Sequence, residues 1–161
     1  MSAAARPGRR TKTITFVGTL VLYLSVGYWL QVSHGFIVGD ALSRVSAAET
    51  VLYSRQPHVA AIGFIFTPLT ALIQLPAILF SPVWPALTEY SYAGTLMSAP
   101  FMAAAVVQIM SMGLDRSLPR GYILAITALF ALNPMIIFYG ANGMSEAPFL
   151  FRPHPVRAPV N

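Results

Sequence analysis

The chain has 161 residues, of which 56% are hydrophobic and only 9% are charged, whereas a soluble domain carries about 25% charged residues. That balance excludes an ordinary soluble enzyme and fits one small integral membrane domain. The net charge is +5, but Arg6, Arg9, Arg10 and Lys12 crowd the N-terminus, where they flank a membrane anchor and form no nucleic-acid patch. Cysteine is absent, which rules out disulfides, iron–sulfur clusters and thiolate zinc sites.

Residues 1–12 read as a disordered, basic tail on the cytoplasmic side. Residues 13–151 read as the membrane domain. Ile14–Val32 is apolar over a length that crosses a bilayer. Tyr23, Tyr28 and Trp29 lie toward its far end as an interfacial belt. The segment is long for a signal-peptide core and no small-residue cleavage site follows, so it reads as an uncleaved anchor.

Asp40 comes next, in the run His34-Gly35-Phe36-Ile37-Val38-Gly39-Asp40-Ala41-Leu42-Ser43-Arg44. A carboxylate just outside a first span sits where water, lipid head groups and a polar substrate meet. It can act there as a base or a metal ligand at little desolvation cost. The plainer alternative is a solvated loop acid. Ser46 to Ser54 reads as a short helix that ends before Pro57, because the residue preceding proline avoids the α region.

Ala60–Phe80 is apolar but carries Pro68, Gln74 and Pro76, and Pro82 and Pro85 follow. The prolines favour broken helices at the membrane surface over a crossing. Tyr92–Leu114 and Tyr122–Tyr139 each read as a span, joined by the polar turn 115–121. Ser98, Ala99, Ala103 and Ala104 are small enough for close helix contact. Gly140 and Gly143 fit a turn with positive φ after the last span. Ser145-Glu146 then precedes a short apolar stretch, where an acid suits a helix N-terminus.

The cations decide the topology. With three crossings, the N-terminal tail and the 115–121 turn share the inner side, leaving Arg44 and Arg55 outside, as the positive-inside rule favours. The expected fold is therefore all-α: three transmembrane helices, plus interfacial helices in a long first outer loop. The expected location is the inner (plasma) membrane, multi-pass, with a cytoplasmic N-terminus. Asp40 and Glu146 then lie on the same outer face. Residues 152–161 change composition abruptly and read either as a natural end or as unrelated sequence after a truncated chain.

Several segments carry a resemblance. They are Gly39-Asp40-Ala41-Leu42-Ser43-Arg44, Pro57-His58-Val59-Ala60-Ala61-Ile62-Gly63-Phe64, Asn133-Pro134-Met135-Ile136 and Tyr139-Gly140-Ala141-Asn142-Gly143-Met144-Ser145-Glu146. In their order, the chain resembles the N-terminal part of the GT-C membrane glycosyltransferases, over about residues 10–151. It is similar in particular to actinobacterial members related to the protein-mannosyltransferase and aminoarabinose-transferase group. The resemblance implies a sugar donor on a polyprenyl phosphate and transfer to an acceptor on the outer face. It matches Asp40 to the first-loop carboxylate that deprotonates or orients the acceptor, Glu146 to a second acid near a divalent cation (Mg or Mn) or the donor phosphate, and Arg44 to a phosphate contact. A chain that lacks the later spans of the family is expected to be inactive alone.

Two other classes remain open. One is a small membrane scaffold or accessory subunit with a membrane-protein partner and no chemistry. The other is a transporter, which the lack of charge within the three spans disfavours. Three scattered histidines make no metal spacing.

Overall fold

In hydrocarbon every backbone polar group must be satisfied within the protein, so apolar stretches of this length fold as helices. The computed structural model describes residues 9–62 and 68–151. Among them it is all-helical, with no strand. The first helix, α1 (Arg9–Tyr28), continues through a π-helical turn, Trp29–Ser33. Its 25 residues reach about 37 Å at 1.5 Å each, enough for a hydrocarbon core of about 30 Å. Arg9 to Lys12 are therefore helical, where the sequence suggested a disordered tail; Arg and Lys are good helix formers. Residues 1–8 and 152–161, the other parts expected to be irregular, lie outside the described residues.

After α2 (Gly39–Tyr53) come α3 (Pro68–Ile78), α4 (Ala86–Glu89), α5 (Tyr92–Asp115), α6 (Arg120–Ala131), α7 (Pro134–Ala141) and α8 (Glu146–Leu150). Two helices, α1 with its π turn and α5, are long and apolar enough to cross a membrane; α6 and α7 together make a third if a 57° bend is counted within one span.

The stretch Tyr122–Tyr139, expected as one span, is thus two helices. Pro134 has no N–H and cannot continue the ladder. Asn133 leaves the helix in an extended conformation and its side chain accepts a hydrogen bond from the Met135 N–H at 2.9 Å. That diverts the donor which would have reached the Ala131 carbonyl. Tyr23 of α1 replaces it, donating its hydroxyl to Ala131 O at 3.0 Å. Tyr23 is consequently buried, and only Tyr28 and Trp29 remain exposed as a belt. Tyr23→Phe should lower stability by about 1–3 kcal/mol, because a buried carbonyl loses its donor. Thermal unfolding in detergent measures this; a loss below about 0.5 kcal/mol would show that the bond contributes nothing.

The α2 helix begins at Gly39, well before the expected Ser46. Ala41, Val45, Ala48 and Val51 form one buried stripe along it. Ala60–Phe80 contains no crossing helix among its described residues. Val59–Ile62 is a 3-10 turn, and α3 has 11 residues, about 16 Å or half the hydrocarbon core. Residues 63–67 lie outside the described set.

The hub is α5, most of which is buried, while α1 shows most of its surface. Val45, Ala48, Ala71, Ile78, Leu87, Tyr92 and Ala93 form one core cluster, so α2, α3 and α4 gather on the N-terminal half of α5. Gly27 of α1 and Gln31 of its π turn meet Thr95 near the start of α5, whereas Tyr23 packs with Met102 and Val106 farther along it, so the two helices are antiparallel. One end of the bundle, here the head, collects the end of α1, the start of α5, the end of α7 and the short helices. The opposite end carries Arg9, Arg10, Lys12, Arg116 and Arg120.

Candidate functional site

Where α7 ends, its last carbonyls have no helical donor, and they are buried. Residues from α5 satisfy them. Thr95 Oγ1 lies 2.8 Å from Ala141 O and 3.0 Å from the Gln31 side-chain oxygen. Ser98 Oγ donates to Gly140 O at 2.9 Å and accepts from the Gly143 N–H at 3.2 Å. Gln31, Thr95 and Ser98 are each almost wholly buried. They weld the π turn after α1, the start of α5 and the end of α7 into one junction.

Glycine lets the backbones approach there. A Cβ on Gly143 would stand 2.7 Å from Gly94 Cα, and Gly143 itself has φ +76°. The expected positive φ therefore holds at Gly143. Gly140 instead lies inside α7, with Tyr23 and Met102 against it. Asn142 turns the chain by accepting the Met144 N–H at 3.0 Å. The outcome is a fixed exit from α7 that delivers Ser145 and Glu146 to the head.

Arg44 of α2 meets them. It is only 6% exposed, and its guanidinium Nη2 donates to Ser145 Oγ at 3.3 Å. Asp40 stands one turn earlier on α2, in its first turn, with its side chain about 5–6 Å from that of Arg44 by helix geometry. Asp40 is exposed; Glu146, in the first turn of α8, is half-buried. One of its oxygens, Oε2, is buried with no hydrogen-bond partner, a costly state for a charged carboxylate. The contact between Arg44 and Ser145 thus brings the three sequence candidates to one end of the bundle. Asp40 and Glu146 do not hydrogen-bond to one another.

A cavity of about 650 Å³ adjoins this cluster, between α3, α7 and α8. Leu69, Tyr139, Pro148 and Phe149 make much of its apolar wall, and Thr70, Ser145 and Glu146 supply polar groups. Its size and lining suit a hydrocarbon chain with a polar head. Among the described residues no three His, Cys, Asp or Glu side chains gather as a metal site. His34 and His58 instead pair with the backbone carbonyls of Trp29, at 2.8 Å, and Gln56, at 2.6 Å.

Tyr23, Gln31 and Thr95 were not singled out from the sequence as functional. The available signal was a polar group inside an otherwise apolar segment, which needs a partner in hydrocarbon. No protein-family model matches the chain, and no curated protein or solved structure matches it.

Proposed function

We propose that this membrane domain serves a glycosyltransferase that takes a sugar from a polyprenyl-phosphate donor and gives it to an acceptor on the outer face of the inner (plasma) membrane. The observation that carries the reading is the bond from Arg44 to Ser145, beside an apolar cavity that borders Glu146. It combines a cation, two acids and a lipid-sized slot at one end. Arg44 meets the donor phosphate, for which a guanidinium is well shaped. Asp40 accepts the proton of the acceptor hydroxyl. The acceptor oxygen bonds to the anomeric carbon, the bond from that carbon to the phosphate oxygen breaks, and the polyprenyl phosphate leaves with the electron pair. A single displacement of this kind inverts the anomeric centre. If the reaction uses Mg or Mn, Glu146 is the residue that would hold the ion, which would supply charge neutralisation for the donor phosphate, since such ions need only one or two protein carboxylates. The cation-rich opposite end faces the cytoplasm, with the N-terminus.

One observation favours the scaffold reading. Asp40 and Glu146 each occupy the first turn of a helix, where the helix dipole favours an acid without any chemistry. Binding separates the two. In lipid nanodiscs the chain should bind farnesyl phosphate saturably and farnesol weakly. Arg44→Gln should weaken farnesyl phosphate binding by about tenfold or more, the scale of a hydrogen bond to a charged group. Arg44→Lys, which keeps the charge, should retain part of it. Equal binding of farnesyl phosphate and farnesol, or equal binding by the wild type and Arg44→Gln, overturns the reading.

A further inference from the structure

A second cavity, of about 320 Å³, lies between α3 and α5, away from the three candidate residues. Pro76, Ala77, Leu96, Pro100 and Phe101 line it, and no ionisable side chain does. Gln74 stands in its wall and is 0% exposed. Both polar atoms of its side chain, Nε2 and Oε1, lack a hydrogen-bond partner. Buried amides are nearly always bonded, so one that lacks both kinds of partner points to something absent.

The two helices beside the cavity each carry a proline that removes a backbone donor. Pro100 has no N–H, which leaves the Leu96 carbonyl without its i+4 donor in α5. Pro76 does the same in α3 for the Leu72 carbonyl. An apolar cavity thus contains one amide that offers donor and acceptor together, bordered by two helices with weakened ladders.

We propose that this cavity is a binding site for a neutral amphiphile, an aliphatic chain bearing a hydroxyl that donates to Gln74 Oε1 and accepts from Gln74 Nε2. The chemistry selects this class. A hydroxyl is the smallest group that answers both amide functions at once. A carboxylate or phosphate would enter an apolar site with no cation beside it, at a high desolvation cost. A plain hydrocarbon would leave the amide unsatisfied. Gln74 is closed even to water in this structure, so the rigid side of another helix does not reach it; a slender chain entering the cavity reaches it by parting the side chains of the wall.

Photolabelling tests the proposal. The detergent-solubilised chain is irradiated with a decan-1-ol that carries a diazirine, and the labelled peptides are mapped. Label is expected on α3 and α5 around Gln74. Decan-1-ol should compete for it, while n-decane and decanoate compete at least tenfold less well. Gln74→Leu should lose the selective labelling yet stay folded, since it removes an unpaired buried amide. Ala77→Trp, at the half-buried rim, should block labelling with Gln74 intact. Label spread evenly over the lipid-facing surface, equal competition by n-decane, or unchanged labelling of Gln74→Leu would each overturn the proposal; water alone would then satisfy the amide.

Discussion

Gly143→Val is expected to abolish the native junction at the head of the bundle. The added side chain would start 2.7 Å from Gly94 Cα and 2.8 Å from Gly94 C, and backbone cannot move aside as a flexible side-chain tip can. The φ of +76° at this position is also one that β-branched residues avoid. Strain and overlap act together, so the loss should exceed about 4 kcal/mol, the range of the most damaging substitutions. Size-exclusion chromatography after mild heating in detergent would read this as loss of the monodisperse peak. Gly18→Ala is the matched control. A Cβ there meets nothing within 4 Å, and alanine is the better helix former. Equal stability of Gly143→Val and the wild type would mean that the close contact between α5 and the exit of α7 does not exist.

Asp40→Asn should reduce turnover by about 10²–10⁴-fold in an assembly that carries out transfer, the usual range for a positioned base. Donor binding should change little, because Asp40 is exposed and the proposed phosphate contact is that of Arg44. Asparagine keeps the shape and removes the proton acceptor, so the effect should fall on kcat more than on KM. Unchanged turnover would remove Asp40 from the chemistry and favour its role as a helix-terminal charge.

The sequence made the long helices legible because hydrocarbon forces apolar stretches of that length into helices. It also made the breaks at proline legible between Ala60 and Phe80. At Asn133-Pro134 strong apolarity on both sides masks the same kind of break, and the pattern reads as one span where there are two helices. Arg44 was harder. As a charged residue it interrupts the apolar stripe of α2, so the sequence pattern starts the helix at Ser46 and places Asp40 in a loop, whereas the helix begins at Gly39. Arg44 bonds to Ser145, distant in sequence, and a long-range pair of that kind leaves no local pattern. Tyr23 suited an interfacial belt by residue type, yet its hydroxyl serves the break after α6. Gln31, Thr95 and Ser98 carried a readable signal, polarity within apolar spans. What they bond to follows only from how α1, α5 and α7 pack. Of the candidate site, then, the residue types were legible and their meeting was not.

The central claim is that Asp40 and Glu146 serve one site on the outer face, opposite the cation-rich end. Single substitutions Asp40→Cys, Glu146→Cys and Arg116→Cys, made in a chain with no native cysteine, test it directly. In sealed right-side-out vesicles, a membrane-impermeant maleimide should label the first two from outside and reach the third only after the membrane is permeabilised. Labelling of Asp40→Cys and Glu146→Cys from opposite sides would contradict the account.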